Sequence, residues 1–174
     1  MSITTAQNPA RRRPHNPRLR RGVGLVIVNN HGQVLAGLRA HAHGESAWQL
    51  PQGGIEGRER PLTTAYRELQ EETGLIQTDV ELIQELPRWT IYYLPKEWQP
   101  GKRFIGQTQR WFLFRYKGDD TPAIEKALHK EFSKLDWVEV NWLISHVIAF
   151  RKAVYRQVFH AFAPHLHPDQ SVDK

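Results

Sequence analysis

The sequence predicts a single mixed α/β domain, and three observations support that fold class. The chain has 174 residues, 40% of them hydrophobic and 24% charged, which is typical of one soluble domain with a substantial core. Apolar runs of strand length occur together with two longer segments that have helical periodicity. The sequence contains no internal repeat and no second group of apolar segments that would indicate another core.

The first predicted elements are two strands joined by a turn. Residues 23–28 form a nearly continuous apolar run, VGLVIV, as expected of a strand buried on both faces. Residues 29–32, Asn-Asn-His-Gly, have turn chemistry, and residues 33–38 are predicted to return as the second strand of a hairpin. Residues 39–58 are predicted to form a loop, because Pro51 and the pair Gly53-Gly54 argue against a helix.

A helix is predicted between Pro61 and Gly74. Proline suits the first turn of a helix, where its missing N–H would have no partner, and glycine suits the position just past the last turn. Apolar residues recur at helical spacing along one stripe of this segment, which indicates a side packed on the core. They are Leu62, Ala65, Tyr66 and Leu69.

Four further strands and a C-terminal helix complete the prediction. The strands are expected at residues 80–86, 89–94, 107–116 and 134–140, and the helix at residues 141–163. Because residues 107–116 are rich in aromatic side chains and alternate poorly, this strand is expected in the middle of a sheet. The expected organisation is a disordered basic tail over residues 1–20, one domain over residues 21–163 and a short tail over residues 164–174.

The positive charge of the chain is concentrated at its start. The formal net charge is +6, from 24 Lys and Arg against 18 Asp and Glu, and residues 1–21 contain six arginines and no acidic residue. This leader could be a solvated arm, a contact for RNA or another polyanion, or an organelle-targeting segment. The absence of cysteine excludes disulfides and thiolate chemistry, and no apolar run approaches the ~18 residues of a membrane span.

The predicted helix carries three carboxylates beside its apolar stripe. Glu68, Glu71 and Glu72 fall within an arc of about 100° on an ideal helix. Carboxylates ~5.5 Å apart repel by about 3 kcal/mol per pair at an effective dielectric constant of 20, and by less than 1 kcal/mol in bulk water. Two interpretations therefore remain: a solvated glutamate-rich surface, or a cleft that holds Mg²⁺ or Mn²⁺. Arg67 can pair with Glu71 but cannot balance three acids.

A longer motif favours the metal site. Residues 53–75 fit the pattern G-x5-E-x7-R-E-U-x-E-E-x-G-U, where U is a bulky aliphatic residue, and thus resemble the Nudix box in full. The resemblance implies an α/β/α sandwich around a mixed β-sheet, with a loop–helix–loop catalytic element. It also implies Mg²⁺ (or Mn²⁺) as cofactor and roles for the fixed residues. Glu68, Glu71, Glu72 and the carbonyl of Gly53 would bind the metal, and Glu59 and Arg67 would hold the loop and helix in register.

The sequence around the box is similar to one subgroup of this family. Residues 48–55, WQLPQGGI, resemble the signature of bacterial RNA pyrophosphohydrolases and the related asymmetric diadenosine tetraphosphate hydrolases. The likeness extends over roughly residues 20–160. Departures occur at Arg21-Gly22, at a slightly longer loop over residues 41–45, and over residues 117–130.

The resemblance also suggests residues that contact the substrate. Glu131 matches a distal acid that completes the metal cluster, and either Glu131 or Glu68 could deprotonate the attacking water. On chemical grounds arginines can pair with phosphates and aromatic rings can stack on bases. Phe150 could equally be a core residue, Tyr92 could merely cover a strand, and Glu131 could be an exposed acid. The expected substrate-binding residues are Arg20, Arg39, Tyr92, Gln107, Phe150 and Arg151.

The expected function is Mg²⁺-dependent removal of phosphates from the 5′-triphosphate end of RNA, which leaves a 5′-monophosphate. The alternatives are asymmetric hydrolysis of diadenosine tetraphosphate and related dinucleoside polyphosphates, or a Nudix module that senses nucleotides without cleaving them. The partner is therefore expected to be RNA or a dinucleoside polyphosphate, with no membrane contact. The protein is expected to be monomeric and cytoplasmic, unless the arginine leader directs it to an organelle.

Overall fold

A computed structural model describes residues 16–40, 46–119, 121–122 and 124–167 of the chain. Eight strands and three helices follow one another in these ranges. They are β1 (Leu19–Val28), β2 (Val34–Ala40), β3 (Ser46–Gln49), β4 (Gln52–Gly54), α1 (Pro61–Thr73), β5 (Val80–Glu85), β6 (Thr90–Tyr93), β7 (Gly106–Tyr116), β8 (Lys134–Val138), α2 (Val140–His146) and α3 (Lys152–Leu166).

The strands form one mixed sheet organised around β1 and β7. These two strands run parallel over ten residue pairs, from Leu19 opposite Gly106 to Val28 opposite Arg115. The main path through the sheet is β3-β2-β1-β7-β5, and β4, β6 and β8 extend it beside β1, β7 and β2. The predicted central position of residues 107–116 is therefore confirmed.

Helices cover both faces of the sheet, because β1 and β7 send successive side chains to opposite sides. Trp111 and Leu113 of β7 pack with α2 and α3 in one hydrophobic cluster. Phe112 and Phe114 pack with Leu69 of α1 in the other cluster. The α/β/α sandwich and mixed sheet predicted from the sequence are thus confirmed.

The ends of α1 follow from its sequence. Pro61 occupies its first turn, and Gly74 directly after it has a φ angle of +75°, the left-handed conformation that glycine adopts without strain. The N–H of Gly74 donates to the carbonyl of Gln70, which closes the last turn. The prediction of a helix from Pro61 to just before Gly74 is confirmed.

Two predicted segments differ in the structure. The predicted loop over residues 39–58 contains β3 and β4, whose pairing with β2 and β1 is a long-range interaction that local sequence does not show. The predicted helix over residues 141–163 is interrupted, because the chain is extended at Val147 and Ile148, which both reach the core. The last helix then continues to the buried Leu166, three residues beyond the predicted end.

The predicted tails lie largely outside the described residues. The first strand begins at Leu19, four residues before the apolar run that predicted it, and the side chain of Leu19 is buried. Residues 1–15, with three of the leader arginines, and residues 168–174 are not described. Within the described ranges, no helix is long and apolar enough to span a membrane.

Candidate functional site

A cavity of about 450 Å³ opens at the end of the sheet where β6 ends and β7 begins. Register places Arg20 of β1, Gln107 of β7 and Tyr92 of β6 side by side across three neighbouring strands. The strand β4 and the helix α1 form the other side of the cavity. Predicted residues that line it are Arg20, Arg39, Gly53, Arg67, Glu68, Glu71, Tyr92, Gln107, Glu131, Phe150 and Arg151.

The carboxylates of α1 lie close against strand β4. Glu68 and Glu72 are both buried, although they are charged residue types. The backbone N–H of Gln52 donates to Glu72 Oε2 over 2.8 Å. A Cβ atom at Gly53 would lie 1.8 Å from the carboxyl carbon of Glu68, so only glycine leaves room for this carboxylate.

Arg67 joins the loop before the helix to the helix itself. Its Nε and Nη2 donate to the two carboxylate oxygens of Glu59, each over 2.9 Å, and Nη2 also donates to the carbonyl of Gly54. Its Nη1 donates to Glu68 Oε1 and Glu71 Oε2, again over 2.9 Å. The positioning role of Glu59 and Arg67 stays a prediction, and these are the contacts through which they would hold the loop and helix together.

The charge state of these acids depends on their surroundings. The hydrogen bond from Arg67 lowers the pKa of Glu59 to about 2. Burial raises the pKa of Glu68 to about 7, against the opposing effect of Arg67, and the charges of Glu71 and Glu131 add to the rise. Burial also raises the pKa of Glu72 well above its ordinary value. Glu68 and Glu72 therefore bind protons readily when no cation is near.

The distal Glu131 joins this cluster from a different part of the chain. Its carboxylate interacts with those of Glu68 and Glu72, and its Oε2 lies 3.1 Å from Arg39 Nη1. Backbone hydrogen bonds fix the segment at both ends, from His129 N–H to the carbonyl of Glu71 and from Ser133 N–H to the carbonyl of Leu38. A residue 59 positions after the last acid of the helix thus lies beside it.

The cluster has the donor chemistry of a site for a hard divalent cation. Arg67 supplies one positive charge to Glu68 and Glu71, and the N–H bonded to Glu72 is neutral. Oxygen ligands with an excess of negative charge suit Mg²⁺ or Mn²⁺. In the part of the chain that the structure describes, no three acidic or histidine side chains already form a complete ligand set. A bound cation would instead compete with Arg67 for the carboxylate oxygens.

Aromatic rings and a buried arginine form the opposite end of the cavity. The rings of Tyr92 and Phe150 are 5.5 Å apart, and the guanidinium carbon of Arg151 lies 5.3 Å and 5.7 Å from their centroids. Arg151 Nη1 donates to Gln49 Oε1 over 2.5 Å. The buried Nε of Arg151 and Nε2 of Gln49 have no hydrogen-bond partner among the described residues. Tyr92 and Arg151 line the cavity but are largely buried, and Phe150 is the more exposed of the two rings.

The cavity is lined by most of the predicted site residues and by several residues that were not predicted. Glu72 and Glu59 do not line the cavity, since Glu72 lies beneath its wall and Glu59 lies on the loop side of Arg67. Phe150 packs against the core and also lines the cavity, so its role in substrate binding stays a prediction. Missed residues of the wall include Leu94, Trp98, Lys102 and His129. A run of charged and aromatic residues over positions 96–104 was the available signal for Trp98 and Lys102.

The fold and this site are typical of one class of protein. These are hydrolases with an α/β/α sandwich in which a helix that carries acidic residues, here α1, lies between two loops. The NUDIX domain family matches residues 18–162, and the chain belongs to the Nudix family of hydrolases. The family assignment made from the motif over residues 53–75 is therefore confirmed. Nudix hydrolases generally use divalent metals such as Mg²⁺.

Named relatives and solved structures agree with this assignment. The chain is 40% identical over 149 residues to the RNA pyrophosphohydrolase of Cereibacter sphaeroides, which covers 83% of this chain and 90% of that protein. It is 41% identical over 147 residues to the RNA pyrophosphohydrolase of Dinoroseobacter shibae, covering 83% and 91%. A solved structure of the C. elegans Ap4A hydrolase in a binary complex is similar with a TM-score of 0.61. That match has 18% identity and covers 84% of this chain and 99% of that one, so it bears on the fold alone.

Proposed function

We propose that the protein is an RNA pyrophosphohydrolase that converts the 5′-triphosphate end of RNA into a 5′-monophosphate. The observation that carries the proposal is one cavity with a carboxylate cluster at one end and an aromatic pair with a buried arginine at the other. A polyphosphate attached to a nucleotide has the same two parts. Relatives at about 40% identity over most of the chain are named for this activity.

The carboxylate end would hold the cation. Glu68, Glu71, Glu72 and Glu131 would supply oxygen donors, and the carbonyl of Gly53, which also lines the cavity, would add another. A divalent cation bound there would offset the negative charge that develops on the phosphates during cleavage. Arg67 and Glu59 would keep the helix and loop in position while the substrate binds.

The remaining residues of the cavity would bind the substrate and move the proton. Arg39 and Arg20 face the same space as the acids and can donate to phosphate oxygens. Water would attack a phosphorus atom, a phosphoanhydride bond would break, and pyrophosphate or successive phosphates would leave. Glu68 or Glu131 would take the proton of that water at a carboxylate oxygen. Tyr92 and Phe150 would receive a base on their ring faces.

One experiment separates this proposal from the alternatives. The protein is given 5′-triphosphate RNA and diadenosine tetraphosphate with Mg²⁺, and the products are identified by mass spectrometry. We expect faster turnover of the RNA, with a 5′-monophosphate end, and at least a ~100-fold loss in Glu72→Gln without loss of fold. Faster turnover of the dinucleotide would replace the proposed substrate. Binding of both without cleavage would indicate a sensor instead.

A further inference from the structure

The loop between β6 and β7 extends the cavity past the aromatic pair. Both strands end at this edge of the sheet, where Tyr93 lies opposite Gly106, and residues 94–105 continue beyond it. Two residues of this loop, Trp98 and Lys102, line the cavity together with Leu94.

Hydrogen bonds hold the loop in a defined conformation. The N–H of Leu94 donates to the carbonyl of Ile105 over 2.8 Å and closes its base. The side-chain amide of Gln99 donates to the carbonyl of Leu94 over 2.8 Å, and the N–H of Lys102 donates to the carbonyl of Gln99 over 3.0 Å. The ring of Trp98 meets that of Phe150 edge-on, with centroids 5.6 Å apart. Lys102 is therefore carried by an ordered loop that rests on the aromatic end.

Lys102 is the cation of this loop that faces the cavity. Lys96 and Arg103 are also exposed, but neither lines the cavity, and Arg103 lies over the ring of Phe104 at 5.1 Å. Among the described residues, no carboxylate forms an ion pair with the ammonium of Lys102. Lys102 thus places an exposed ammonium, without a carboxylate partner among the described residues, at the rim of the cavity. It is suited to bind a phosphate of a substrate that extends across this rim.

The spacing of the strands indicates which phosphate this is. Strands β4, β1, β7 and β6 lie side by side, so β4, next to the carboxylates, is about 14 Å from β6, which carries Tyr92. A nucleotide whose 5′-polyphosphate lies at the carboxylates and whose base lies at Tyr92 and Phe150 would span this distance between β4 and β6. The chain of an RNA would then leave the cavity beside the loop.

We propose that Lys102 binds an internucleotide phosphate of RNA, downstream of the nucleotide held by the aromatic pair, and thereby favours RNA chains over single nucleotides. This inference rests on the proposed RNA function. It makes Lys102 a specificity-determining residue rather than a catalytic one. A mononucleoside triphosphate such as GTP has no internucleotide phosphate, so its binding does not depend on Lys102.

The test compares the binding of two ligands to one pair of variants. Binding of an eight-nucleotide 5′-triphosphate RNA and of GTP is measured in the Glu72→Gln background, where turnover is expected to be at least ~100-fold slower. Lys102→Gln should weaken RNA binding about three- to fivefold, leave GTP binding unchanged and reduce the salt slope for RNA by about 0.7. Lys102→Arg should restore RNA binding. Lys117→Gln, an exposed lysine past the other end of β7, is the matched control and should change neither ligand.

Each other outcome overturns the inference. An equal loss for RNA and GTP would place Lys102 at the 5′-polyphosphate, and no loss for RNA would remove it from the binding site. The proposed function is tested separately by wild-type turnover, so an enzyme that does not cleave RNA can still show the length-dependent binding assigned to Lys102.

Discussion

Replacing Glu68 with glutamine should stabilise the metal-free protein at pH 8. The side chain keeps its size and its acceptor for Arg67 Nη1, and it loses only the ability to carry a buried charge. Burial raises the pKa of Glu68 from 4.5 to about 7, so between these pH values the folded protein holds a proton that the unfolded chain has released. The free energy of unfolding therefore falls as pH rises through this window, and glutamine avoids that loss.

The size of the effect follows from the pKa. A rise from 4.5 to about 7 corresponds to about 3 kcal/mol, and solvent in the cavity beside the carboxyl reduces the expected value to about 2 kcal/mol. For a domain of this size, that difference raises the melting temperature by about 4–8 °C. Below pH 4.5 the wild type carries a neutral acid, and the two proteins should have similar stability.

The assay is thermal unfolding in EDTA at pH 4 and pH 8, followed by the same measurement with Mg²⁺. The wild type should gain more stability from Mg²⁺ than Glu68→Gln, since a cation that binds the folded state stabilises it by mass action. Glu97→Gln, an exposed glutamate, serves as control and should follow the wild type. A variant less stable than the wild type at pH 8, or a difference that is the same at both pH values, would refute the argument.

Two further changes test the close packing of the site and the role of the leader. Gly53→Ala places a Cβ atom 1.8 Å from the carboxyl carbon of Glu68, so we expect loss of Mg²⁺-dependent stabilisation and of turnover. Gly57→Ala, which has open space around its Cβ despite a φ of +51°, should retain both, and equal loss in the two variants would contradict the packing argument. Deletion of residues 2–15, which stops short of the buried Leu19, should weaken RNA binding mostly at low salt. An unchanged salt slope in filter-binding assays would show that the leader does not contact RNA.

Local sequence predicted the parts of the fold that depend on local interactions. The helix α1 was predicted because Pro61, Gly74 and the apolar stripe act within a few residues of one another. The strand β3 and the break at Val147 were missed because each depends on a partner far away in the sequence, a neighbouring strand for β3 and the core for Val147. Such pairings override the intrinsic preference of a short segment.

Some features of the candidate site could also be predicted from the sequence, and others depend on contacts between distant parts of the chain. The acids of α1 were predicted from their spacing on one helix, and the resemblance to the Nudix box gave Glu131 and the substrate-binding residues. Neither source predicted that Arg67 bonds Glu59, Gly54, Glu68 and Glu71 at once, because that arrangement depends on how the loop folds back. Lys102 and Trp98 were missed because single residues in an irregular loop have no periodicity to reveal them.

The parallel pairing of β1 with β7 also has a consequence for synthesis of the protein. Leu19 and Gly106 are 87 positions apart, and the intervening chain contains the whole of α1. A nascent chain that has left the ribosome only as far as β6 would contain every acid of that helix. It would still lack β7, the strand that carries Gln107 and pairs with the strands of Arg20 and Tyr92. Closing so long a segment is slow compared with forming a helix. The capacity to bind nucleotides should thus arise late, after β7 has inserted between its neighbours and Glu131, Phe150 and Arg151 have followed it.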